Sequence, residues 1–158
     1  AGRADNVVLC GHSAGAHLMT AALLTKSLPS FAAAVLCAGV YDLDAHLRYE
    51  TRRGVADVSA LSAAFPSAQR PQFSPTKLHI RGLPPNLTLL HGARDAIVPV
   101  ESTTLFAAAA TQAGADPHTL IWPDADHFDF LFHGFLSSDA PLFRLLRPGL
   151  HQASPTSV

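Results

Sequence analysis

The stretch Val7-Val8-Leu9-Cys10-Gly11-His12-Ser13-Ala14-Gly15-Ala16-His17-Leu18 decides the fold. An apolar, β-branched run stops at Gly11, and a helix-like pattern begins at once. Strand, sharp turn and helix, with a serine between two glycines, is the pattern of a nucleophile elbow, G-x-S-x-G. Such a turn strains the serine backbone and crowds the residues two positions to either side, where only small residues fit. The strain lifts Ser13 Oγ above the carboxyl end of its strand. The following helix aims its free N–H groups and positive dipole end at the same point. The N–H of Ala14 is thereby placed as one donor of an oxyanion hole. The bland alternative is a Gly/Ser-rich turn with no chemistry, since the motif is short.

Outward from the elbow, residues 6–10 read as a buried strand and 14–26 as a helix ended by Pro29. Residues 32–38 (AAAVLCA) form a second buried strand. Strand, helix, strand over so short a span is a βαβ unit with parallel strands. The pattern loosens over 41–85, with short helical pieces at 45–52 and 54–65 and prolines at 66, 71, 75, 84 and 85. This is a cap over the sheet or a long surface connection. Regular order resumes with a strand at 86–91 and an Ala-rich helix at 101–113, which Ser102 or its predecessors cap. A strand follows at 118–122, then a loop at 124–130 holding His127. The last expected helix spans 137–146, and 149–158 is expected to be a disordered tail. The fold class is therefore α/β: an open, mostly parallel sheet of about four strands, flanked by helices.

Composition narrows the function classes. The chain has 158 residues, 48% of them apolar and 15% charged, with a net charge of −1. That is enough for one domain with a real core. The near-zero charge argues against nucleic acid or an anionic membrane surface as partner. The longest apolar run, 31–41, is too short to span a bilayer. Cys10 and Cys37 both lie in apolar strand-like runs, so buried free thiols are expected rather than a disulfide. The histidines show no metal-ligand spacing, so neither metal nor cofactor is expected. No feature assigns a compartment.

Ser13, Asp95 and His127 each fall just after the end of an expected strand. Parallel sheets bind ligands at their carboxyl edge, so all three can converge there. The chain order, Ser then Asp then His, is that of the α/β-hydrolases. The chain resembles the C-terminal part of an α/β-hydrolase over 1–148. Within that superfamily it is similar to the carboxylesterase-like group that includes isoprenylcysteine methylesterases and kynurenine formamidases. The likeness is carried by GHSAGAHL at 11–18, GVYDL at 39–43, RGVADVSAL at 53–61, HGARDAIVPV at 91–100 and DADHFDFLF at 124–132.

The resemblance implies Ser13 as nucleophile, His127 as base and Asp95 as the acid that orients it. Asp42 is the alternative acid, one strand earlier. His133 is an alternative base, while His12 and His17 read as packing or polar lining. Asp124, Asp126 and Asp129 are too close to His127 in sequence to be its usual partner. Trp122 and the phenylalanines at 128, 130, 132 and 135 read as packing under the last helix. Arg48, Arg52 and Arg53 read as a solvated face. The implied activity is hydrolysis of small-molecule carboxylic esters through an acyl-enzyme, with methyl esters of prenylated cysteine as one candidate class. The alternatives are an amidase or formamidase of the same mechanism, and a non-catalytic protein that keeps the fold. The resemblance also implies an N-terminal half that this sequence does not contain, including strands before the elbow and a second oxyanion donor. Without that half, the elbow strand is expected at an open edge, and the chain alone is expected to be unstable and feebly active.

Overall fold

The computed structural model describes residues 7–27 and 31–132. Four strands alternate with helical crossovers. β1 (Val8–His12) leads to α1 (Ala14–Leu24), β2 (Ala33–Cys37) and α2 (Leu43–Arg52). Two short helices, α3 (Leu61–Ala64) and α4 (Arg70–Phe73), and three single turns of 3-10 helix fill the segment before β3 (Asn86–Gly92). Then come α5 (Glu101–Gln112), β4 (His118–Trp122) and α6 (Asp129–Phe132). The sheet order is β1-β2-β3-β4 and every neighbouring pair is parallel. Parallel neighbours need a crossover, and each connection here supplies one. The chain is part of an α/β-hydrolase fold, with β1 at one edge of the sheet described.

The alternation of strand side chains builds two cores. Ala34, Leu36, Leu87 and Leu89 face Ala16 and Leu24 of α1 and Phe106 of α5. Tyr41 completes this layer, its ring stacked on Phe106 at 4.4 Å. Among the described residues its hydroxyl has no hydrogen-bond partner, an offset to the burial of so large a side chain. Val35, Cys37 and Leu90 point the other way and meet Ala125 and Phe130 of the β4–α6 region.

Several expected boundaries move, each for a local reason. β1 runs on through Gly11 and His12, which pair with Leu36 and Cys37. α1 stops at Leu24 because Lys26 turns into the left-handed region (φ 56°), and the Ser27 N–H closes the end on the Ala22 carbonyl. α2 starts at Leu43, two residues before the expected piece, because the Asp42 carboxylate caps it by accepting from the Ala45 N–H at 2.9 Å. Ser102 does not cap α5. Its hydroxyl donates to the Gly39 carbonyl (2.8 Å) and accepts from the Tyr41 N–H (3.0 Å), tying α5 to the end of β2.

Both cysteines are free, as expected, but only Cys37 is fully buried; Cys10, on the edge strand, is partly buried. Of the phenylalanines expected to pack, Phe130 is fully buried against Trp122, whereas Phe128 and Phe132 are exposed. Arg48, Arg52 and Arg53 are exposed, in keeping with a solvated face. The expected helix at 137–146, the tail at 149–158, His133 and Phe135 lie outside the described residues. Among the described residues, no helix is long and apolar enough to cross a membrane.

Candidate active site

Ser13 sits between β1 and α1 with φ 53° and ψ −120°, a conformation that costs a non-glycine residue roughly 1–3 kcal/mol. Its N–H donates to the Cys37 carbonyl and its carbonyl accepts from the His17 N–H, so both sides of the turn are pinned. Gly11 is required here: a Cβ would lie 2.8 Å from Met19 Sδ and 2.9 Å from the Ala16 nitrogen. Gly15 is different, since a Cβ there meets nothing within 4 Å among the described residues. The crowding expected on both sides of the serine is therefore present on one side only. Ala14 is the first residue of α1, so its N–H has no carbonyl one turn back to bind and is free for another acceptor.

Asp95 follows β3 and His127 follows β4, and the two loops are stitched together. The Ala93 N–H donates to the Trp122 carbonyl and the Arg94 N–H to the Ala125 carbonyl. Gly92 permits this approach, because a Cβ there would collide with the Ala125 carbonyl. His127 Nδ1–H donates to Asp95 Oδ2 at 2.7 Å, with both side chains buried. That bond holds the ring in the tautomer whose Nε2 carries a lone pair.

The carboxylate is held from every side. Asp95 Oδ1 accepts from the N–H groups of Ile97 and Val98, both at 2.8 Å. Burial pushes its pKa up, but the hydrogen bonds from His127, His91, Val98 and Ile97 outweigh that and hold the carboxyl far below the usual range. His91, fully buried at the end of β3, is a supporting residue that the sequence reading did not single out. Its Nε2–H donates to the Val98 carbonyl at 2.9 Å and lies 3.2 Å from Asp95 Oδ2. Its Nδ1 accepts from Thr103 Oγ1–H at 2.7 Å. The available signal was a histidine ending an apolar strand four residues before the acid.

The rival residues are otherwise engaged. Asp42 caps α2 and pairs with Lys77 at 3.4 Å. Asp126 and Asp129 shape the turn after His127: Asp126 Oδ1 accepts from the Phe128 and Asp129 N–H groups, and Asp129 Oδ2 accepts from the Asp126 N–H. Asp124 is exposed beside Arg94. His17 is buried, with its Nδ1 2.8 Å from the Val40 carbonyl, and burial lowers its pKa. His12 does more than pack. Its Nε2–H donates to the His127 carbonyl at 2.6 Å, and the two rings lie 4.6 Å apart.

Beside Ser13 opens a cleft of about 280 Å³, walled by Val40, Leu43, Leu61, Phe65 and Val98. Among the described residues, no group of three His, Cys, Asp or Glu side chains is placed to hold a metal ion.

A strained serine after one parallel strand, with an aspartate and a histidine after two others at the same sheet edge, is the arrangement of the α/β-hydrolase class. More particularly, the chain belongs to the prolyl oligopeptidase family, whose sequence profile matches residues 2–140. It is 27% identical over 146 residues to a protein of Oryza sativa subsp. japonica named as a probable isoprenylcysteine alpha-carbonyl methylesterase, covering 81% of this chain and 35% of that protein. Among solved structures it resembles an acylaminoacyl peptidase in complex with Z-Gly-Gly-Phe-chloromethyl ketone. That TM-score is 0.70 at 16% identity, over 91% of this chain and 22% of the other. It also resembles the HSL-homolog EstE7 from a metagenome library, with a TM-score of 0.66 at 26% identity over 87% of this chain and 51% of the other. The chain thus spans about a third of the rice relative and between a fifth and a half of these structures.

Proposed function

We propose that the protein is a serine hydrolase of carboxylic esters, with Ser13 as nucleophile, His127 as general base and Asp95 as the group that orients the base. The observation that carries this reading is the 2.7 Å bond from His127 Nδ1 to a buried Asp95, at the same sheet edge as a serine in a strained turn. His127 Nε2 takes the proton of Ser13 Oγ as Oγ attacks the carbonyl carbon. The tetrahedral oxyanion accepts from the Ala14 N–H at the start of α1. The imidazolium, stabilised by Asp95, returns its proton to the leaving alcohol as the C–O bond breaks. Water then repeats the sequence on the acyl-enzyme and frees the acid.

The segment between β2 and β3 acts as a cap in this reading. Ser59, Ala60, Leu61, Ala64 and Phe65, all from that segment, line the cleft beside Ser13. An apolar cleft of this size suits a short acyl or alkyl group, in line with a small-molecule ester substrate. The rice relative's name supports a methyl ester of a prenylated cysteine as one candidate.

A second reading is cleavage of amides or peptides by the same groups, favoured by the family match over 2–140. One experiment separates these readings from a non-catalytic protein. A fluorophosphonate probe is expected to form one adduct on Ser13, located by peptide mass spectrometry and absent in Ser13→Ala. p-Nitrophenyl butyrate and butyryl p-nitroanilide then distinguish esterase from amidase. No adduct on Ser13, with neither compound cleaved, overturns the proposal.

A further inference from the structure

The cleft beside Ser13 takes one end of a substrate, and its walls say which. Among the described residues they include Ser13 and Ala14, the proposed nucleophile and oxyanion donor, but neither His127 nor His12. A leaving group must lie against the base that protonates it. The acyl group is therefore the part that enters this cleft.

Val40, Leu43 and Val98, all buried, form one part of its wall. Just past α3 comes Phe65, the largest side chain of the wall, which packs against those residues. Its ring lies 5.9 Å from the ring of His17, on the cleft, and 5.4 Å from that of Phe73 on α4, which stands outside it. Phe65 is thus the partition between the acyl cleft and the ring behind it.

A partition sets a length only if it cannot move, and Phe65 is held from several sides. Its N–H donates to the Leu61 carbonyl. Pro66 follows it and disfavours helical backbone, and Phe65 leaves α3 at φ −130° and ψ 89°. Its carbonyl accepts from Arg70 Nε–H at 2.9 Å. The same guanidinium donates through Nη1 to Asp44 Oδ1 on α2 at 3.0 Å, and the Arg70 side chain is only 13% exposed. Such charge-assisted bonds are stronger than neutral ones. Ser74 repeats the tie, since its hydroxyl donates to the Arg70 carbonyl at 2.8 Å and accepts from the Leu43 N–H at 3.0 Å. Leu43 itself lines the cleft, so Arg70 and Ser74 lock its part of the wall to that of Phe65.

We infer that Phe65 sets the acyl-chain length accepted in the Ser13 cleft, and that Arg70, bound to the Phe65 carbonyl and to Asp44, is the positioning residue that holds it there. The inference rests on the serine-esterase reading for the acyl assignment, and on the partition itself for the limit in length.

The test compares p-nitrophenyl butyrate with p-nitrophenyl octanoate, whose leaving group is the same. Each methylene that finds apolar cover raises kcat/KM about fourfold, so an unobstructed cleft favours octanoate by up to about 100-fold. In the wild type, butyrate is expected to be favoured by about tenfold. In Phe65→Ala that preference is expected to reverse. In Arg70→Met, which keeps an apolar stem without the donors, the ratio is expected to shift the same way by about fourfold, the worth of one methylene. Arg70→Lys, which can restore one of these bonds, is expected to recover part of the shift. A merely structural loss lowers both esters alike and leaves the ratio where it was. Every variant is checked for cooperative melting, and Phe65→Leu, a smaller deletion, replaces Phe65→Ala if the latter fails that check. A wild-type preference for octanoate, or an unchanged ratio in the Phe65 variant, overturns the length limit. An unchanged ratio in Arg70→Met overturns the positioning role.

A second measurement needs no turnover. In protein labelled with 13C in its phenylalanine rings, butanamide is expected to shift the Phe65 resonance. Octanamide is expected to bind no more tightly than butanamide until Phe65 is replaced. If neither ester is cleaved but both of these hold, the esterase reading fails and the partition stands. Tighter binding of octanamide by the wild type, or no Phe65 shift with butanamide, overturns the partition itself.

Discussion

His12 Nε2–H donates to the backbone carbonyl of His127 at 2.6 Å, so the residue before the proposed nucleophile holds the backbone of the proposed base. The two are 115 positions apart in the chain, and their rings lie 4.6 Å from one another. The bond couples the end of β1 to the loop after β4, at opposite edges of the sheet described. His12→Phe keeps a ring but removes the donor. Misplacement of a base by a fraction of an ångström is expected to lower kcat by about 10- to 100-fold. His12→Gln, which retains a donor, is expected to recover part of that loss. Steady-state kinetics with a p-nitrophenyl ester, beside fluorophosphonate labelling rates, checks both; equal rates in all three proteins would refute the positioning role.

Asp95→Asn removes the charge that selects the His127 tautomer. Turnover is expected to fall by about 10⁴-fold if Asp95 acts as the acid of a triad. Asp42→Ala is expected to weaken the cap of α2 by about 1 kcal/mol and leave the pH profile of turnover in place. Parallel kinetics and urea melts of the two variants decide which aspartate serves the histidine.

The same carboxylate makes stability depend on pH in a definite direction. The pKa of Asp95 is depressed on folding, so its contribution is fully present above the unfolded carboxyl value of about 3.9. It is lost as pH falls from there through the folded value, because the native state must then bind a proton it holds poorly. The Tm gap between wild type and Asp95→Asn is therefore expected to narrow between pH 6 and about pH 3. A gap that widens on acidification would contradict the hydrogen-bond network around Asp95.

Three glycines near the site should respond differently to alanine. Gly11→Ala and Gly92→Ala drive a Cβ into Met19 with the α1 backbone and into the Ala125 carbonyl, and each is expected to cost about 1–3 kcal/mol. Gly15→Ala meets open space and adds helix propensity, so it is expected to be neutral or to stabilise by up to about 1 kcal/mol. Denaturant melts of the three variants are enough to check the order.

Ser102→Ala is expected to destabilise by about 1–3 kcal/mol, because it strands the Gly39 carbonyl and the Tyr41 N–H at the end of β2. Were Ser102 only a helix cap, Ser102→Gly would cost a few tenths of a kcal/mol. A loss in Ser102→Gly as large as in Ser102→Ala marks it as a strut between α5 and β2.

Much of this protein was legible in one dimension. The strands at 33–37, 86–92 and 118–122 are short apolar or β-branched runs bounded by turn residues, a pattern that marks a strand whether it is buried, as the first two largely are, or only partly covered, as the last is. The strained turn at Ser13 was legible because it is local: a glycine two residues before, a strand behind and a helix ahead act on adjacent atoms. Ser13, Asp95 and His127 each follow a strand, β1, β3 and β4, and parallel strands end on the same side, which puts all three at one sheet edge. Tertiary structure alone decided the rest. That Gly15 is open while Gly11 is crowded depends on Met19 folding back over one of them. That Ser102 braces β2, that His91 and two N–H groups grip Asp95, and that His12 holds His127 are contacts between segments far apart in the chain or set by the curl of a loop. Residue type and spacing report which groups can hydrogen-bond; only packing decides which of them meet.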